Sequence, residues 1–218
     1  MDARTAILAG ATGLVGGHCL HVLLESPVYK RVIAVVRRPL SETHSKLEQH
    51  IVDFELLGEL DAAGADVFCA LGTTIRKAGS QEAFRQVDYA YPVLLAQRAS
   101  DAGARQFVLV SSAGANSNSR NFYLRVKGET ENAVSVVPFE AVHIFRPGFL
   151  AGKRDEPRPG ERAAIAVAKR LSFVFAGGLK PYRPIEAVKV ARAMVAAAGE
   201  GRPGRHVYHW PEIVALAA

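Results

Sequence analysis

Hydrophobic positions along the chain follow two alternating periods. Short β-branched runs at Thr5–Ala9, Arg31–Val36, His50–Val52, Asp66–Leu71, Arg105–Val110 and Ala141–Phe145 read as strands. Between them, Leu14–Glu25, Gln81–Ala102 and Asn121–Val134 read as helices. In Gln81–Ala102 the residues Phe84, Val87, Tyr91, Leu94 and Leu95 make one apolar stripe at helical spacing. Strands alternating with longer helices predict βαβ units, and so an α/β fold built on a doubly wound parallel sheet. Beyond Pro147 the pattern loosens into a charged loop, helices near Glu161–Leu171 and Ile185–Ala198, and a late strand at His206–Tyr208. No linker interrupts the chain, so residues 1–218 are expected to form one domain, with a small C-terminal elaboration on the substrate side, mainly in 149–218.

Composition narrows the function classes. The net charge of +6 raises the question of nucleic acid, but the basic residues are dispersed, and the densest stretch, Gly152–Arg162, alternates Lys/Arg with Asp/Glu. No zinc-finger spacing or RNA-binding signature is present, so neither a nucleic-acid partner nor a metal is expected. No apolar run reaches the ~20 residues of a membrane span. The start Met1–Thr5 leads directly into the first strand without signal-peptide architecture, which gives the expectation of a cytoplasmic protein. Cys19 and Cys69 are too isolated for a disulfide framework, and Cys69 lies inside an apolar run, as a buried structural thiol would.

The first strand runs straight into Gly10-Ala11-Thr12-Gly13-Leu14-Val15-Gly16. A turn that brings its backbone against a pyrophosphate cannot carry side chains there, and glycine also accepts positive φ. The helix that follows offers free N–H groups and the positive end of its dipole to the phosphates, while Gly16 lets it pack closely on the strand. Gly10, Thr12, Gly13, Leu14, Val15 and Gly16 are therefore candidate cofactor residues. A site for NAD usually carries an acidic residue after the second strand, and one for NADP an arginine. Here that strand ends in Val36-Arg37-Arg38-Pro39, with two guanidiniums able to grip a 2′-phosphate. The expected cofactor is NADP(H).

The fifth strand ends in Val110-Ser111-Ser112, and eleven residues after Ser112 comes Tyr123-Leu124-Arg125-Val126-Lys127. At i and i+4, Tyr123 and Lys127 share one helix face. A free tyrosine is a poor acid or base near neutrality, and an adjacent ammonium with a cationic cofactor favours its phenolate. A serine hydroxyl then orients a carbonyl or alcohol during hydride transfer. Ser112, Tyr123 and Lys127 form the candidate catalytic set, at the strand ends where open α/β sheets hold ligands.

The glycine turn, in its G-x-x-G-x-x-G spacing, and the triad with Arg146-Pro147-Gly148 resemble an atypical short-chain dehydrogenase/reductase on a Rossmann-type sheet. Several blocks resemble more closely the Tat-interacting protein family of NADPH-binding oxidoreductases. They are Cys69–Thr74, Lys77-Ala78-Gly79, Val87-Asp88, Val126–Glu129, Phe145–Gly148 and Arg158–Glu161, which together span most of the chain from Gly10 to Glu161. The resemblance implies that Asp53, with Phe54 beside it, meets the adenine, although such an aspartate also reads as a helix N-cap. It implies that Leu71, Gly72 and Thr73 border the cofactor, that Pro147, Gly148 and Phe149 pass near the nicotinamide, and that Tyr123 and Lys127 also touch the cofactor. It puts Asp88 where better-known branches carry a relay asparagine, and puts the Gly152–Arg162 loop over the substrate side, although its proline and charge content equally suits a plain exposed loop.

Two functions follow. One is an NADP(H)-dependent oxidoreductase acting on an unidentified carbonyl or alcohol. The other, from family members described as regulators, is an NADPH-binding regulatory or redox-sensing protein; a protein partner or a homo-oligomer fits either. A sugar-nucleotide epimerase is disfavoured, since the 70 residues after Gly148 are few for a nucleotide-sugar pocket.

Overall fold

In the computed structural model, which describes residues 4–151 and 182–218, the β-branched runs become parallel strands, buried on both faces except at the edge of the sheet. They are β1 (Arg4–Ala9), β2 (Tyr29–Val36), β3 (Leu47–Ile51), β4 (Asp66–Cys69), β5 (Gln106–Val110) and β6 (Ala141–Phe145). A second parallel pair, β7 (Leu150–Ala151) and β8 (Ile185–Glu186), lies apart from the main sheet, and β9 (Gly204–Tyr208) joins the main sheet beside β6. The order is β3-β2-β1-β4-β5-β6-β9, so the winding reverses between β1 and β4. Ligands of doubly wound sheets bind at that reversal, outside the carboxyl ends of the strands.

Side chains alternate across the sheet with the period of two that strands impose. From β1, Ala6 and Leu8 face one layer with α1 (Leu14–Glu25) and α6 (Ala187–Glu200), whose Leu20, Leu23, Val190 and Met194 are buried there. Ile7 and Ala9 face the other layer, with Leu95, Ala96 and Ala99 of α4 (Tyr91–Asp101) and Val134 of α5 (Phe122–Ser135). Each Leu or Ile so buried stabilises the fold by roughly 1.5–3 kcal/mol. At the opposite edge from the ligand side, the fully buried Asp66 accepts hydrogen bonds from Tyr29 Oη (2.7 Å) and from Arg105 Nη2 (2.7 Å).

Several elements differ from the periodicity reading. The third strand starts earlier, at Leu47, because Leu47–Ile51 is a largely exposed edge strand whose polar residues hide it from a hydrophobic scan. The stretch 185–198 splits into β8 and α6. Trp210–Leu216 forms α7, whose start is marked by Pro211 and by Glu212, which accepts from the His209 N–H at 3.0 Å. The run Gln81–Ala102 is not one α-helix: after the short α2 (Ile75–Ala78), α3 (Gln81–Arg85) gives way to a π turn at Gln86–Ala90 before α4. Pro92 is the reason. It has no N–H to give the Asp88 carbonyl one turn back, and the Thr130 hydroxyl supplies that bond instead, at 2.8 Å. The helix near Glu161–Leu171 and the Gly152–Arg162 loop lie outside the described residues.

Candidate functional site

The ends of β1, β2, β4, β5 and β6 bring most of the sequence candidates to one edge of the sheet. At the end of β1, Gly10 has φ +91°, and a Cβ there would sit 2.5 Å from the Ala70 carbonyl oxygen. No side chain fits between β1 and the strand end after β4. Gly13 closes the turn with its N–H on the Gly10 carbonyl (2.9 Å) and becomes the N-cap of α1. A Cβ on Gly16 would stand 1.9 Å from the Gly10 oxygen, so α1 can start this close only with glycine there. The first turn of α1 has no acidic residue and no side-chain cap, which leaves its positive end clear for an anion. Thr12 and Gly13 are exposed, Leu14 half-buried, and Val15 in the core, so Val15 can offer a ligand only its backbone.

Arg37 and Arg38 follow β2 as exposed side chains and form no ion pair among the described residues. Asp53 acts as the N-cap of a short 3-10 turn, accepting from the Glu55 N–H at 2.9 Å. Phe54 is turned into the core against Tyr91, with ring centroids 5.4 Å apart, so its side chain is not at the sheet edge. The glycine cradle, the bare helix start and the unengaged arginines fit a dinucleotide's phosphates.

On α5, Tyr123 is half-buried against the ring of Phe84 (5.6 Å). Lys127 is buried, and its ammonium lies 2.7 Å from Asp88 Oδ1; the two side chains are 8% and 0% exposed. That separation is the close contact of a charge-assisted pair between an ammonium and a carboxylate. Oδ2 accepts from the Thr73 N–H at 2.8 Å. Burial pulls the Lys127 ammonium down, but the Asp88 carboxylate, and after it Tyr123, outweigh that and hold it above the usual lysine range. The sequence offers Lys127 no evident partner; the fold supplies one from the π turn. Leu71 and Thr73 are half-buried and Gly72 exposed, in the loop that touches this pair.

Ser112 is half-buried at the end of β5, its hydroxyl on the Ala113 carbonyl at 3.3 Å. A second buried carboxylate, which sequence reasoning missed, fixes its surroundings. Glu131 accepts from Ser111 Oγ (2.5 Å) and from Arg146 through Nε (3.0 Å) and Nη2 (2.5 Å), joining α5 to the ends of β5 and β6. A signal for it exists: Glu131 lies one helical turn beyond Lys127, on the same face. Pro147 is buried and its carbonyl accepts from Ala113 N–H (2.9 Å), whereas Phe149 is 66% exposed. A Cβ on Gly148 would sit 2.5 Å from the Arg183 carbonyl oxygen, so this glycine admits the segment entering β8. Among the described residues no cluster of metal ligands occurs, and no helix is long and apolar enough to cross a membrane.

Comparison with known proteins agrees with this geometry. A family described as NAD(P)H-binding matches residues 10–200. Protein HTATIP2 of Rattus norvegicus is 38% identical over 201 residues, covering 89% of this chain and 81% of that protein. The mitochondrial protein fmp52 of Aspergillus clavatus is 37% identical over 199 residues, covering 87% and 85%. Human epimerase family protein SDR39U1 with NADPH superposes with a TM-score of 0.64 at 16% identity, covering 95% of this chain and 75% of that one. MoeE5 in complex with UDP-glucose and NAD gives 0.70 at 18%, covering 99% and 81%. At such identities these structures establish the fold alone. The relatives overturn the expectation of a cytoplasmic protein, since several similar proteins are named as mitochondrial. An N-terminus without signal-peptide architecture does not make a protein cytoplasmic. By sequence, the chain belongs to the NAD(P)H-binding family that includes HTATIP2 and the FMP52 proteins.

Proposed function

We propose that this protein is an NADP(H)-dependent oxidoreductase acting on a carbonyl or alcohol. The observation that carries the reading is a buried, charged Lys127 on the same helix face as Tyr123, beside a glycine turn with no room for side chains. In this assignment Gly10, Gly13 and Gly16 with the start of α1 hold the pyrophosphate, and Arg37 and Arg38 hold the 2′-phosphate. Asp53 keeps one carboxylate oxygen beyond its capping bond for the adenine, and Leu71–Thr73 and Pro147–Phe149 border the nicotinamide end. The bound dinucleotide supplies a hydride to the substrate carbon, or takes one from it. Tyr123 gives a proton to the carbonyl oxygen in reduction and takes it back from the alcohol in oxidation. Lys127 holds positive charge beside the phenol and binds the ribose, and Ser112 orients the substrate oxygen. The naming of the FMP52 relatives supports a mitochondrial location.

Tyr123→Phe tests the reading, because it removes one hydroxyl and leaves the aromatic packing on Phe84. Loss of a general acid–base group costs about 10²–10⁴-fold in rate. Turnover of a carbonyl panel, followed at the NADPH absorbance band, is expected to fall by that factor, with NADPH affinity nearly unchanged. Full activity of Tyr123→Phe on a confirmed substrate overturns the assignment of Tyr123 and Ser112. Tight NADPH binding by wild type with no turnover across the panel replaces the enzyme by a regulatory NADPH-binding protein.

A further inference from the structure

Asp88 is held on three sides. Its Oδ1 lies 2.7 Å from Lys127 Nζ, its Oδ2 takes the Thr73 N–H at 2.8 Å, and its own carbonyl takes the Thr130 hydroxyl at 2.8 Å. Gly72 lies directly on the ion pair: a Cβ there would sit 3.4 Å from Asp88 Oδ1 and 3.6 Å from Lys127 Nζ. The titratable groups that act on the ammonium come from three elements: Asp88 on the π turn, Tyr123 on α5 itself, and Cys69 at the end of β4. Burial pushes the Cys69 thiol up to about 12, so it stays neutral near physiological pH. Asp88 is thus the carboxylate on which the buried charge depends.

We propose that Asp88 is a positioning residue that keeps Lys127 charged and aimed, and that fastens the ammonium to the Leu71–Thr73 loop. A buried ammonium without a counter-ion gives up its proton, and burial alone can lower a lysine by up to ~3–5 pH units. The π turn is the local device. By stepping out of α-helical register at Pro92, the chain carries the Asp88 carboxylate to both the loop and α5. The consequence for cofactor binding rests on the proposed function; the consequence for the lysine does not.

The test is NMR of ε-¹³C-labelled lysine, with the Lys127 signal identified by its loss in Lys127→Met. In wild type that signal is expected to titrate above the other lysines. In Asp88→Asn, which keeps an oxygen for the Thr73 N–H, it should titrate at least ~1 unit lower. NADPH affinity, measured by calorimetry between pH 7.5 and 9.5, should then fall at least ~10-fold with rising pH in Asp88→Asn and stay nearly level in wild type. A purely structural role for Asp88 moves the unfolding midpoint but neither pH profile, and unchanged profiles overturn the proposal. Should Asp88→Asn not fold, Asp88→Asn/Lys127→Met removes both charges and is expected to melt above either single variant. A double variant no more stable than the singles overturns the proposal equally. Wild type that binds NADPH at no pH removes the proposed function, while the lysine signal still decides the role of Asp88.

Discussion

Gly13 and Gly16 lie three residues apart in one turn, yet a methyl group on each meets different surroundings. At Gly16 it would stand 1.9 Å from a backbone oxygen that cannot swing aside, so Gly16→Ala must push α1 off the turn. A loss of about 1–3 kcal/mol in urea unfolding is expected, as for overpacking elsewhere. At Gly13 the nearest atom is 3.2 Å away and φ is −85°, which any residue adopts. Gly13→Ala should stay within about 1 kcal/mol of wild type in stability, yet weaken NADPH binding where backbone meets pyrophosphate. Calorimetry and urea melts on the same samples separate the two, and wild-type affinity in Gly13→Ala would leave the turn with a structural role only. In the proposed assignment, Arg37 and Arg38 set the choice between cofactors. Removing one charge-assisted hydrogen bond to a phosphate costs about 1.5–3 kcal/mol, so Arg37→Ala/Arg38→Ala should weaken NADPH by at least ~10-fold and leave NADH nearly unaffected. Wild type with equal affinity for both cofactors rules out the NADP preference.

At the scale of elements, α5 is the part on which the site depends. It carries Tyr123 and Lys127, caps itself through Asn121, which accepts from the Leu124 N–H (3.2 Å), and is fastened to β5 and β6 through Glu131. Gly128 lets it settle on the loop that leaves β5, because a Cβ there would lie 2.2 Å from the Ser117 nitrogen. Gly128→Ala must lift the helix by its middle, one residue from Lys127. We expect a stability loss of about 1–3 kcal/mol and a fall in turnover larger than the fall in NADPH affinity, because Tyr123 and Ser112 move apart while the β1 turn stays. A variant with wild-type melting and turnover would show that the helix has room to move.

Across the whole molecule, the packing sets how the protein answers to acid and to thiol reagents. His143 of β6 is fully buried, with Nδ1 2.9 Å from Tyr208 Oη and Nε2 3.2 Å from Gln106 Oε1. Burial, and after it the nearby His206, Arg202 and Arg105, lowers it from 6.5 to about 4. Since the unfolded chain binds this proton more readily, the neutral His143 stabilises the fold above pH 6.5, and that contribution is lost as pH falls from 6.5 toward 4. Urea midpoints should drop across that window, with a slope approaching about 1.4 kcal/mol per pH unit from this group. His143→Gln should flatten the drop; an identical slope in the variant would falsify the attribution. Cys19 and Cys69 lie in opposite layers, both buried and both pushed up to about 12 by burial. Neither should react with Ellman's reagent in the native protein, and both should react in denaturant; rapid native labelling of either would show local opening of its layer.

Much of this was legible from sequence, for a physical reason. Strand and helix periodicity report which faces are buried, and Leu14–Glu25 and Ala141–Phe145 stand where the pattern put them. The glycine spacing and the arginines after β2 are local chemistry, written in consecutive residues. Where local pattern failed, neighbours remote in sequence had decided. The polar edge strand Leu47–Ile51 exists because β2 offers it hydrogen bonds, and the π turn persists because Thr130 answers the carbonyl that Pro92 abandons. The Lys127–Asp88 pair and the Glu131 clamp join residues from different elements, so spacing alone gives them no signature. The sequence by itself determined the sheet, the glycine turn after β1 and the helix face that Tyr123 and Lys127 share. Only the tertiary structure decided which carboxylate holds the lysine, because a buried charge takes the partner that packing brings within reach.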